Sequence, residues 1–199
     1  MLSFFISAGL VFLFEMGDKT QLVALCLATK FSAKTVLWGI FWATLIIHLF
    51  SALIGHSITQ FVPQEYIKII AGLAFIVFGF WTIKGDKLND EVEACSNKKL
   101  KMSPFMIVTV TFFLAELGDK TMLSTITIAT QYNWIGVWLG STVGMVIADA
   151  IAVAIGLLMG KNLPEKAVKI GAAVIFFAFG VIYLLSGLSK ILHFDFINL

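Results

Sequence analysis

The sequence predicts an all-α integral membrane protein, with six transmembrane helices arranged as two inverted three-helix repeats. Three observations carry that prediction. The 199 residues are 59% hydrophobic, with a mean hydropathy of +0.96, whereas soluble domains are about 45–50% apolar. A bilayer-spanning helix needs about 20 mostly apolar residues, so the chain has room for six and little else. The two halves also align without a gap at a shift of 101 residues, with 25 identities over the first 84 positions. A bias toward Leu, Ile, Val and Phe inflates such matches. It does not align Gly39 with Gly140, Pro63 with Pro164, Lys68 with Lys169 or Gly79 with Gly180, so the repeat is genuine.

The first span is expected over 3–29. Its apolar run lacks a basic leader segment and a small-residue cleavage site, and it continues to Thr29, too long for a signal peptide. The second and third spans are expected over 35–59 and 66–84. The stretch "KGDKLNDEVEACSNKKLKMSP" then separates repeat one (1–84) from repeat two (104–199) as a polar linker over 85–103, and Pro104 opens the fourth span. The remaining spans are expected over 104–130, 134–160 and 166–192. Three spans per half force the second half to enter the bilayer from the opposite side. That is the inverted-repeat architecture of many transporters, whose sites lie near mid-membrane between the repeats.

Lysines orient the chain. Lys30, Lys34, Lys84, Lys87, Lys98, Lys99, Lys101, Lys161, Lys166 and Lys169 fall on one side, Lys68 and Lys190 on the other. The positive-inside rule puts the linker in the cytoplasm and both termini outside. Trp134 and Trp138 then mark the outer interface, Trp38 and Trp81 the inner one. The chain has no arginine, the usual reader of phosphate groups, which argues against a nucleic-acid partner. Cys26 lies in a span and Cys95 in the linker, which suggests neither a disulfide framework nor a CxxC metal site.

Two short stretches carry charge into the apolar runs: "FEMGDKTQ" (Phe14 to Gln21) and "LAELGDKTM" (Leu114 to Met122). On continuous helices, Glu15, Asp18 and Lys19 form one polar stripe, and Glu116, Asp119 and Lys120 another. Ionisable residues cost roughly 2.5–3.5 kcal/mol each inside a bilayer and face a bundle interior or a water-filled cavity. Four carboxylates against two lysines leave a formal charge of minus two, which one divalent cation or two protons would neutralise. Ligands must lose their protons to bind a metal, so such a site exchanges one for the other. Oxygen donors suit Mg²⁺, Ca²⁺ and Mn²⁺, and Thr20, Gln21 and Thr121 supply more. Met122 replaces Gln21 in the second half, and a thioether there favours Mn²⁺ over Ca²⁺ slightly. Gly17 and Gly118 permit either close helix contact or a local break that frees backbone carbonyls. The bland alternative is a pair of structural ion pairs, Glu15 with Lys19 and Glu116 with Lys120. His48 and its repeat mate Asp149 are mid-span, as a proton relay, as auxiliary ligands or as hydrogen-bonded core residues.

These residues resemble a known family. "EMGDKT" and "ELGDKT" are similar to the paired Glu-x-Gly-Asp-Lys/Arg-Thr/Ser signatures of the Gdt-type cation transporters, and the likeness covers spans, repeat and linker. It implies a multi-pass, non-enzymatic transporter of Mn²⁺ or Ca²⁺, working in exchange for H⁺ with no permanently bound cofactor. It implies Glu15, Asp18, Glu116 and Asp119 as ligands, with Thr20, Gln21 and Thr121 supporting. The second copy departs from the pattern at Leu117 and Met122. The compact chain suggests a bacterial protein, for which the resemblance implies manganese efflux across the inner membrane. A Ca²⁺/H⁺ antiporter, an exporter of a cationic solute such as a basic amino acid, and a membrane-embedded hydrolase are the competing readings.

Overall fold

The computed structural model describes residues 1–16, 18–84, 102–159 and 165–191. Gly17, most of the linker with Cys95 and its lysines, Lys161 and His193 lie outside the described residues. So do the side chains of Lys19, Lys166 and Lys169. The described residues form eight helices and no strand. They are α1 (Leu2–Glu15), α2 (Lys19–Lys30), α3 (Ala33–Ile58), α4 (Gln64–Lys84), α5 (Pro104–Glu116), α6 (Lys120–Ala129), α7 (Trp134–Met159) and α8 (Glu165–Ile191).

Four helices are long and apolar enough to cross a membrane: Ala33–Phe61, Gln64–Lys84, Trp134–Ile155 and Ala173–Ile191. The other two expected spans are not continuous, which corrects the sequence prediction. The first divides into α1 and α2, the fourth into α5 and α6, and both breaks fall inside the charged stretches. The second break is a type II turn. Leu117 has φ −63° and ψ 116°, Gly118 has φ +77°, and the Asp119 N–H donates to the Glu116 carbonyl at 3.1 Å. A type II turn needs a left-handed residue at its third position, which is why glycine stands there. At the first break Met16 has φ −59° and ψ 118°, and the Asp18 N–H donates to the Glu15 carbonyl at 3.0 Å. The hydrophobic pattern runs on through both sites, so periodicity alone could not locate them.

Packing follows the repeat. α1 lies along α7, as α5 lies along α3; α2 touches α7, as α6 touches α3. Exchanging the halves turns each of these contacts into another, and leaves α3 against α7 and α4 against α8 unchanged. The α1–α7 seam is backbone against side-chain-free backbone. A Cβ on Gly140 would collide with the Phe4 carbonyl oxygen, and one on Gly144 with the Ala8 carbonyl oxygen. Gly136 continues the row, giving three small residues four apart that let two helices approach closely. An aromatic cluster fills the space between α1, α4 and α8, where Phe14 stacks on Phe176 at 3.8 Å and Phe75 meets both.

The surface inverts the soluble rule. Trp38, Phe50, Phe80 and Val174 are exposed, whereas Glu15, Thr20, His48, Glu116, Thr121 and Asp149 are fully buried. Such a wide apolar exterior is consistent with an integral membrane protein. Trp38 and Trp81 reach that exterior. Trp138, half-buried, donates its indole N–H to the Leu45 carbonyl on α3 at 2.9 Å. Trp134 stacks on His56. A cavity of about 470 Å³ gathers the start of α4 (Gln64, Lys68), the end of α6 (Gln131, Tyr132) and the last third of α8 (Tyr183, Ser186). There Lys68 Nζ donates to Ser186 Oγ at 2.9 Å.

Candidate functional site

The two turns position the acids. Each Glu is the last residue of a helix, and each Asp is the extended residue that caps the next: Glu15 ends α1 and Asp18 precedes α2, Glu116 ends α5 and Asp119 precedes α6. The Asp side chains make no capping bond to their own helices, yet they sit at helix N-termini, where the backbone dipole stabilises negative charge. The expected stripes on continuous helices are therefore replaced by two acid-bearing corners. The physical reason is the turn, which ends one helix at Glu and starts the next after Asp; Thr121 Oγ1 still reaches both Glu116 Oε2 at 2.7 Å and Asp119 Oδ2 at 3.5 Å.

All four carboxylates are buried. Glu15 and Glu116 are 0% exposed, Asp18 4% and Asp119 3%. The two corners share one electrostatic neighbourhood. Glu15 lies within Coulomb range of Glu116, Asp18 and Asp149, and Glu116 within range of Asp119, Asp18 and Asp149. Asp149, brought by α7, is fully buried among them. Its repeat mate His48 is equally buried, and both its ring nitrogens lack a hydrogen-bond partner.

The threonines fall on equivalent partners. Thr20 Oγ1 donates to Glu15 Oε1, and Thr121 Oγ1 donates to Glu116 Oε2 at 2.7 Å. Each Glu thus keeps one oxygen bonded and one without a partner, Glu15 Oε2 and Glu116 Oε1. Asp18 Oδ2 and both Asp149 oxygens also lack hydrogen-bond partners. Buried anionic oxygens left this way are costly. A proton or a cation would satisfy them.

The lysine pairing differs from the expected one. Lys120 Nζ bridges Asp18 Oδ1 at 2.9 Å, across the two halves, rather than Glu116 within its own motif. The Glu15–Lys19 pair lies outside the described side chains. Gln21 Nε2 donates to the Ala148 carbonyl at 3.4 Å, beside Asp149. Met122 Sδ accepts the Gly118 N–H at 3.3 Å, so the thioether supports the turn. Among the described residues, no three His, Cys, Asp or Glu side chains close on one point as a metal-ligand set. The carboxylates share a neighbourhood without converging, and an ammonium occupies part of it.

The family model described as "Divalent cation/proton antiporter GDT1" matches residues 3–90 and again residues 104–191, one match per half. A Vibrio cholerae protein named "Putative manganese exporter" is 34% identical over 128 residues, covering 64% of this chain and 62% of its own length. A GDT1-like protein of Synechocystis is 32% identical over 185 residues, covering 84% and 89%. The divalent cation/proton antiporter GDT1 of Saccharomyces cerevisiae is 25% identical over 232 residues, covering 92% and 83%. No solved structure matches the chain. The chain spans about three fifths of the Vibrio relative and most of the other two. With a match in each half that together take in nearly every described residue, this chain belongs to the GDT1 family of divalent cation/proton antiporters.

Proposed function

We propose that this protein exports Mn²⁺ from the cytoplasm in exchange for H⁺ across a bacterial inner membrane. The observation that carries the reading is the burial of Glu15 and Glu116, one from each half, in one acidic neighbourhood with an oxygen apiece left unbonded. Asp149 raises the number of neighbouring carboxylates to five, so the formal charge against two lysines becomes minus three. One divalent cation with one proton, or protons alone, balances it. That gives the site two ways to be neutral, which is the condition for exchange.

In this reading α1 with α2, and α5 with α6, each form one broken span. A helix of 13–14 residues rises only about 20 Å, short of a hydrocarbon core of about 30 Å. Irregular backbone is tolerated at that depth where it lines a site buried in protein. Six spans with the second repeat inverted then put the linker in the cytoplasm and both termini outside. The cavity at Lys68 supports that arrangement, since the topology brings the α4 start, the α6 end and the α8 end to the same side. Glu15, Asp18, Glu116 and Asp119 hold the ion, Thr20, Gln21 and Thr121 support it, and Asp149 adds charge from α7.

Manganese is favoured by the name that the Vibrio relative carries. A Ca²⁺/H⁺ exchange is the second reading, favoured by Met122: its sulfur is engaged by Gly118, which leaves an all-oxygen donor set that suits Ca²⁺ as well. The test is flux in proteoliposomes under an imposed pH gradient, with each ion offered alone and in competition. Mn²⁺ movement that follows the gradient, reduced at least about a hundredfold by Glu15→Gln or Asp119→Asn, is expected. Transport that survives both substitutions removes the site.

A further inference from the structure

The Lys120–Asp18 bridge is an ion pair between the two motifs, and it joins a residue of one half to a proposed cation ligand of the other. Both side chains are almost wholly buried, at 5% and 2% exposure. Three carboxylates act on the ammonium: Asp18 most strongly, then Glu15 and Asp119. We propose that Lys120 is a tethered competitor of the transported cation: it occupies Asp18 in the empty carrier, is displaced when a divalent ion binds, and returns as the ion leaves. This rests on the antiport reading above and adds a role that the reading does not need.

The argument is one of matched charge. A buried carboxylate without a counter-ion is strongly penalised, and Asp18 lies in an acidic neighbourhood where the penalty grows. In the metal-free carrier protons neutralise the other carboxylates, and Asp18 keeps a counter-ion of its own while the halves move past each other. Lys120 supplies one that cannot diffuse away. When a divalent ion arrives, two cations require the same Asp18 oxygen, so the ammonium must leave. Loading is thereby made weaker, and unloading easier, than at a site of bare carboxylates. A carrier needs that balance, because an ion held too tightly is not released. The position of the lysine also matters. Lys120 is the first residue of α6, directly after the turn, and Asp18 is the last residue before α2. The bridge thus ties the two broken corners to each other, and its release frees them together.

The experiment uses the full-length protein with Mn²⁺ as the probe. Binding is measured in detergent, and net efflux and Mn²⁺/Mn²⁺ exchange are measured in proteoliposomes. For Lys120→Gln, Mn²⁺ is expected to bind about tenfold more tightly, since removing one neighbouring positive charge is worth at least that factor at an effective dielectric near 20. Maximal net efflux falls several-fold, while exchange is retained, because the Mn²⁺-loaded carrier still moves and the protonated, metal-free one returns poorly without a counter-ion at Asp18. Lys120→Arg keeps the charge and should leave affinity within about twofold of wild type. Lys120→Met, apolar and of similar length, repeats the Gln result should the amide perturb folding. A Lys120→Gln protein of normal thermal stability that binds Mn²⁺ no more tightly, or loses exchange and net efflux in equal measure, makes the bridge purely structural and overturns the inference. Wild-type protein that binds Mn²⁺ but does not move it overturns the antiport reading alone, with the binding comparison still deciding the role of Lys120.

Discussion

Gly118 shows how one residue sets the site. Its φ of +77° puts it in the left-handed region, where a side chain costs roughly 1–2 kcal/mol. A Cβ there would meet nothing within 4 Å, so any effect of substitution is backbone strain and not crowding. Gly118→Ala is therefore expected to lower stability by about 1 kcal/mol and to shift Glu116 relative to Asp119, with a larger loss of transport than of melting temperature. Gly118→Asn should be milder, because Asn tolerates that region. Equal transport by the alanine variant and wild type would mean that the turn is not needed. The acids, lysines and threonines at this scale were legible in the sequence because the repeat printed them twice. Their partners were not. Pairing Glu116 with Lys120 assumed a continuous helix with neighbours four apart, and the turn removes that premise. It sends Lys120 to Asp18 in the other half instead. Asp149 was visible as a charge in mid-span, but only the folding of α7 against α1 and α2 brings it to the acids.

At the scale of elements, the helices follow from apolar runs punctuated by polar caps. Ser32 and Ser103 accept from the N–H groups of Thr35 and Met106, and Pro104 opens α5. Helix ends therefore fell within a few residues of expectation. The breaks did not show, since a helical hydrophobic pattern is kept on both sides of a turn that spans three residues. The Gly136, Gly140 and Gly144 row was a signal present in the sequence and left unused. Its meaning is now specific: α7 can lie against α1 only where it lacks side chains. Gly144→Val would drive a branched side chain into the Ala8 backbone, and the seam must part. Overpacking of this kind typically costs about 1–3 kcal/mol. Because α1 delivers Glu15 and α7 delivers Asp149, transport should fall along with the melting temperature in detergent. Gly9→Ala on α1 is the control, since a Cβ there meets nothing within 4 Å. Its stability should match or slightly exceed wild type. If Gly144→Val melts like Gly9→Ala, the seam is not close-packed.

For the whole molecule, the question is whether cation and protons use the same carboxylates. The two matches of the family model and the exchange of contacts between halves fit a molecule with one site at its centre of pseudo-symmetry. Such a site cannot hold a proton and a metal on one oxygen at once. Lowering the pH on the loading side must then raise the apparent KM for Mn²⁺ and leave the maximal rate less affected. The sign follows from competition: protonated carboxylates are lost to the metal, so affinity weakens as pH falls and recovers as it rises. Each proton displaced per ion contributes up to about tenfold in KM per pH unit where the groups titrate. The slope of log KM against pH therefore counts the protons, which the formal charges of five acids and two lysines leave open. Asp149→Asn should flatten that slope if Asp149 exchanges one of them, and leave it unaltered if Asp149 only adds field. The measurement is initial Mn²⁺ uptake into inside-out vesicles from pH 6 to 8 at fixed membrane potential. A KM constant across that range, with the rate alone changing, would place the protons on groups apart from the metal and separate the two halves of the exchange.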